Sequence, residues 1–84
     1  MPMIYNPLAL GSRLEALRKK RKLSQDDLAS QVDCSRRTIM NLEAGANVSS
    51  HTLFRVLEVL GLALDLGDRR VDMRALKALR EHGE

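Results

Sequence analysis

The chain has 84 residues, 44% of them hydrophobic and 30% charged, with a formal net charge of +3. That is room for one small domain, too much apolar content for a disordered tail, and a core small enough to gain from a second copy. No apolar run approaches the ~18 residues of a membrane span, no signal-peptide pattern opens the chain, and a lone cysteine excludes an internal disulfide or a cysteine-based zinc site, so the expected setting is the cytoplasm.

Residues 1–6 read as a flexible or strand-like N-terminus. Asn6-Pro7 then opens a helix, because Asn caps and Pro fits the first helical position. Leu10, Leu14 and Leu17 mark its buried stripe, and it runs to about Arg21. Its last turn is basic. Arg13, Arg18, Lys19, Lys20, Arg21, Lys22, Arg36 and Arg37 face only Glu15, Asp26, Asp27 and Asp33 over residues 1–37. Such a run either complements the negative helix end or forms a phosphate-facing surface.

Ser24 is an N-cap with Asp26 and Asp27 at the positive helix end, and Leu28, Ala29 and Val32 recur at helical spacing. A second helix is predicted from Gln25 to about Gln31, with Ala29 small where it crosses the next helix. Asp33-Cys34 interrupts the pattern, with Cys34 read as a small buried hydrophobe. Ser35 caps a third helix, about Arg36–Ala44, which buries Ile39 and Leu42 and closes at Gly45 in a left-handed conformation. Arg36, Arg37, Met40 and Asn41 remain outward. An Arg fork suits guanine, an Asn amide suits adenine and a Met can touch a thymine methyl. The same two arginines could instead clamp phosphates.

Ala46–Val48 is a loop, and Ser49 caps a fourth helix. That helix buries Leu53, Val56, Leu57 and Leu60, is expected to pack Phe54 as well, and ends at Gly61. His51 reads as a surface residue without metal partners. Leu62-Ala63-Leu64-Asp65-Leu66 alternates like a strand. One strand cannot form a sheet alone, so Leu62, Leu64 and Leu66 are expected to pair with a second copy across a two-fold axis. An extension of the fourth helix or a short fifth one is the alternative. After the polar break 67–70, an amphipathic segment sets Met73, Leu76 and Leu79 against Arg74, Lys77 and Arg80. At about ten residues it is too short to hold as an isolated helix.

The two-helix unit resembles the helix-turn-helix of the phage-repressor (Cro/C1, or XRE) family. The matching residues are Leu23-Ser24-Gln25, Leu28-Ala29, Thr38-Ile39, Leu42-Glu43 and Gly45, then Thr52-Leu53 and Leu57 through Leu60-Gly61. The resemblance spans roughly residues 8–66. It implies that Gln25 contacts phosphate and braces the recognition helix, that the helix start at Ser35 faces phosphate, and that Arg36 and Arg37 stand where base edges are read. Asn47 falls where the family often has a basic residue and can offer its amide to phosphate. Arg18 would touch phosphate or pair with Glu43, and the pair is favoured because it ties two helices together. The chain departs from the family at Asp33, where Gly is usual. The strand after Gly61 looks like the HipB-type antitoxins, whose resemblance implies a dimer and a HipA-like kinase partner.

The expected fold is all-α: a four- to five-helix lambda-repressor-like domain with a short C-terminal strand pairing across a dimer. Residues 1–6 form the N-terminus, 7–61 the DNA-binding domain, 62–66 the dimerisation strand and 67–84 an amphipathic segment or tail. The expected function is a dimeric repressor on a palindromic DNA operator. It acts either as an antitoxin or as a stand-alone regulator, associated with the bacterial nucleoid. With no Gly-rich phosphate loop, nucleophile elbow or metal-ligand spacing, neither an enzyme nor a cofactor is expected.

Overall fold

The computed structural model describes residues 3–69, so the amphipathic segment expected from Asp72 onward lies outside the described residues. Four helices follow in order: α1 (Pro7–Lys20), α2 (Gln25–Val32), α3 (Arg36–Glu43) and α4 (Ser50–Leu60). Each begins where a polar side chain takes over an orphan backbone donor. Asn6 Oδ1 accepts from Ala9 N at 2.8 Å, and the Ser24, Ser35 and Ser49 hydroxyls accept from Asp27, Thr38 and Thr52 N. At α2 the cap is reciprocal: the Ser24 amide donates to Asp27 Oδ2 at 2.9 Å, completing a capping box.

The four helices also end alike. A residue with positive φ (Lys22, Asp33, Gly45 or Gly61) reverses the chain. The next amide then reaches back to a carbonyl in the last turn: Leu23 to Arg18, Cys34 to Ala29, Ala46 to Asn41 and Leu62 to Leu57. This left-handed double-bonded cap satisfies carbonyls that would otherwise be stranded. The left-handed close expected at Gly45 and the helix end expected at Gly61 are both present, and Asp33 and Lys22 take the same conformation.

Leu14, Leu28, Ala29, Val32, Ile39, Leu42, Val56, Leu57 and Leu60 form the core. α3 packs on α1 and α2, and α2 also packs on α4. Gly11 sets the α1–α3 approach. A Cβ there would lie 2.6 Å from the Glu43 carbonyl oxygen and closer still to that of Leu42. Glycine in a helix interior costs about 1 kcal/mol relative to alanine, a cost accepted here for the close crossing.

One expectation changes, that for Phe54. Phe54 does not pack into the core but stands 56% exposed. At about 100° per residue it lies roughly 110° round α4 from the centre of the Leu53–Val56–Leu57–Leu60 stripe. Among the described residues no β-ladder forms, and 62–69 runs without helix. Leu62 packs partly buried against its own core, the hydrophobic contact that a left-handed helix cap favours, whereas Leu64 and Leu66 stay exposed. The 62–69 segment runs beside the N-terminal one. The Arg69 guanidinium sits 4.7 Å from the centroid of the Tyr5 ring. Between these segments and the helices lies an open groove of about 580 Å³, lined by residues including Met3, Ile4, Leu10, Leu42, Val48 and Leu53.

Candidate nucleic-acid interface

α3 is amphipathic in the strict sense. Ile39 and Leu42 are buried, while Arg36, Arg37, Met40 and Asn41 are exposed and together line one surface concavity. The spacing i, i+1, i+4, i+5 puts all four on one side of the helix. Ser35, just before them, spends its hydroxyl on the Thr38 amide and the Thr38 hydroxyl. The first backbone N–H groups of α3 therefore start from a fixed turn, the arrangement that suits an anion.

Gln25, at the first position of α2, is brought to this face. Its Oε1 accepts from Arg36 Nε at 3.5 Å, and its Nε2 donates to Glu43 Oε1 at 3.1 Å. Met40 is 47% exposed, which leaves its thioether available to a partner.

Arg18 is placed differently from the other candidate DNA contacts. It is buried at 6% exposure, its Nε donating to Glu43 Oε2 at 2.7 Å and its Nη2 to Oε1 at 3.0 Å. Its Nη1 also holds the Leu23 carbonyl at 2.8 Å. With its donors engaged inside the protein, Arg18 does not belong to the exposed face, and the pair with Glu43 is what forms. The hydrogen bond to Glu43 holds its pKa above the ordinary arginine value against the opposing effect of burial. The pair binds the end of α3 to α1 and to the α1–α2 turn at once.

Asn47 is exposed in the α3–α4 loop but lines the apolar groove rather than the α3 concavity. Cys34 is half-buried beneath the turn, and burial pushes its thiol pKa up. The thiol therefore ionises less readily than that of a free cysteine, which fits a packing role. Two features escaped the sequence reading. Gly11 gave no local signal, because its constraint comes from α3, which packs against it from more than 30 residues further along the chain. The reciprocal Asp27 cap was legible as Ser24 followed three residues on by an acid.

A short helix packed across a second, with a capped start and an exposed face of arginines and an amide, defines a DNA-binding helix-turn-helix protein. A family model described as helix-turn-helix matches residues 14–66, and the chain belongs to that family, of the Cro/C1 (XRE) type. It is a DNA-binding transcriptional regulator of that class. An uncharacterized HTH-type transcriptional regulator, y4mF, of Sinorhizobium fredii is 34% identical over 71 residues, 80% of this chain and 93% of the relative. Among solved structures, HipB in complex with an O2 20mer superposes with a TM-score of 0.76 at 28% identity, covering 83% of this chain and 99% of HipB. A HipA-HipB-O2-O3 complex gives the same TM-score and identity, over 83% of this chain and 100% of that one. The similarity to HipB-type antitoxins read from the sequence is thus present in the fold. No helix among the described residues is long and apolar enough to cross a membrane.

Proposed function

We propose that this protein is a transcriptional repressor that binds a palindromic operator as a dimer, and that it serves as the antitoxin of a HipA-like kinase whose operon it regulates. The observation that carries the DNA half is the single exposed α3 face of Arg36, Arg37, Met40 and Asn41. In this reading Arg36, Arg37 and Asn41 reach base edges in the major groove. Gln25, the start of α3 at Ser35 and the loop at Asn47 hold the flanking phosphates. Repression follows from occupancy of promoter DNA.

A single module of this size binds too weakly to hold an operator. Two copies with recognition helices about 34 Å apart would read both half-sites on one side of the duplex. Exposed Leu64 and Leu66, on a segment with no strand partner among the described residues, favour 62–66 as the dimerisation segment. Residues 7–61 then form the DNA-binding domain. The antitoxin half is supported by likeness to HipB, one of whose solved complexes contains HipA as well as DNA. The relative from Sinorhizobium fredii, named as an HTH-type transcriptional regulator, fits both this reading and the stand-alone alternative.

Purification of the tagged protein from its native host at low salt, with mass spectrometry and DNA sequencing of what co-purifies, separates these. A stoichiometric kinase-like protein with promoter DNA establishes the antitoxin. Palindromic DNA alone leaves an autonomous repressor. Neither, from folded protein, overturns the proposal.

A further inference from the structure

Of the exposed large apolar side chains among the described residues, all but Met40 and Phe54 gather around one groove. Met3, Ile4, Leu64 and Leu66 line it, and Leu8 lies against Gly45 in its wall. Leu66 is 92% exposed. These side chains come mainly from two segments that run side by side. A Cβ on Gly67 would lie 3.2 Å from the Met3 Cε, and the Arg69 guanidinium stands 4.7 Å from the centroid of the Tyr5 ring. Met3 thus meets Gly67 and Tyr5 meets Arg69, so the two segments point the same way. Gly67 leaves room for the Met3 side chain, and the cation–π contact fastens the pair two residues further on. The N-terminal segment is held against 62–69.

A contiguous apolar surface of this kind marks a site of association, and its charge indicates with what. Over residues 3–8 and 62–69 the charged side chains are Asp65, Asp68 and Arg69, of both signs and nearly balanced. The basic run Lys19–Lys22 begins at the far end of α1, about 20 Å away for a 14-residue helix. A two-fold interface must be complementary to itself, and a nearly neutral apolar surface on a basic chain meets that requirement without repulsion. Its position fits as well. The groove is bordered by the α3–α4 loop but by none of Arg36, Arg37, Met40 and Asn41, so a second copy seated there leaves the α3 face open.

We propose that residues 3–5 belong to the surface on which two copies of this chain associate. The N-terminal segment and 62–69 of each copy form one apolar ledge, and the two ledges close on each other across the two-fold axis. The proposal rests on the reading of 62–66 as the dimerisation segment and adds the N-terminal segment to it.

Sedimentation of the full-length protein over a dilution series measures the dimer dissociation constant. Ile4 lies outside the helices and outside the core, so Ile4→Asp should keep the helical circular dichroism spectrum. It should raise the dissociation constant by about tenfold or more, because a two-fold interface carries the substitution twice. Leu66→Asp should do the same, whereas Ala16→Asp, on the exposed side of α1, should match the wild type. With p-benzoylphenylalanine in place of Ile4, irradiation should join two copies, the link mapping to 3–8 or 62–69 of the second.

A wild type that stays monomeric at every dilution, or a Leu66→Asp variant that dimerises like the wild type, overturns the dimerisation reading and the proposal with it. Leu66→Asp weakened with Ile4→Asp unchanged overturns the proposal alone. A link from position 4 to residues 72–79 of the same copy also overturns it, since the chain's own amphipathic segment then covers the groove.

Discussion

Arg18 and Glu43, 25 residues apart in the chain, meet in a bidentate pair at 2.7 and 3.0 Å, with side-chain exposures of 8% and 3%. The pair lets a domain with so small a core fasten α1 to the end of α3. Every hydrogen-bonding requirement around it is met, for no buried side-chain polar atom among the described residues lacks a partner. Such a pair stabilises chiefly in the sense that either half alone is costly. Arg18→Met should lower stability by about 3–5 kcal/mol by leaving Glu43 buried without its cation. The double variant Arg18→Met, Glu43→Leu should recover much of that loss. Urea denaturation of the four proteins of the cycle measures both terms.

Gly11 carries a steric prediction. A methyl at this position would press on the α3 backbone, 2.6 Å from the Glu43 carbonyl oxygen, and neither helix can yield without disturbing the other. Gly11→Ala should destabilise by about 2–3 kcal/mol although alanine is the better helix former. Thermal melting compared with Ala16→Gly, a change on the exposed side of α1, separates packing from propensity. The propensity effect alone would make Gly11→Ala the more stable protein.

Asp33 holds φ 61°, ψ 51° at the end of α2, a left-handed conformation in which a Cβ is strained. Asp33→Gly should stabilise by about 0.5–1 kcal/mol, read as a higher urea midpoint at unchanged slope. The gain is bounded because glycine also loosens the unfolded chain.

The α2 cap titrates. The Asp27 carboxylate accepts from the Ser24 amide, and these bonds to Ser24 hold its pKa below the ordinary aspartate value of 3.8. A carboxylate depressed by folding contributes stability that is full above its unfolded pKa and is lost as pH falls through its folded one. The cap should therefore hold down to pH 3.8 and weaken below it. Asp27→Asn should flatten that part of the stability-versus-pH curve, measured by circular dichroism melts between pH 2 and 6.

The four helices and their caps were legible because each signal is local. Asn6-Pro7, Ser24, Ser35 and Ser49 sit next to the donors they satisfy, and the leucine and valine stripes repeat with the helical period. The Arg18–Glu43 pair was legible only through the family resemblance, since nothing within either segment points to the other. Gly11 and Lys22 were missed for related reasons: one answers to a helix packed against it, the other reverses the chain at a positive φ without the glycine or asparagine that would have marked it. Phe54 was misplaced because a large apolar residue beside a buried stripe was assumed to join it. On the candidate site, the exposed group of four on α3 could be read from spacing. The links from Glu43 through Gln25 to Arg36 depend on side-chain directions that sequence does not carry.

The central claim is that Arg36, Arg37 and Asn41 make α3 a sequence-reading surface. Its most direct test is selection of duplexes from a random pool, run in parallel for the wild-type protein and the triple variant Arg36→Ala, Arg37→Ala, Asn41→Ala, with melting to confirm that both are folded. The wild type should enrich a palindrome with half-site centres about 10 base pairs apart. The variant should enrich no sequence while keeping weak, salt-sensitive binding. Enrichment of the same palindrome by both proteins would contradict the claim and move sequence reading to another part of the molecule.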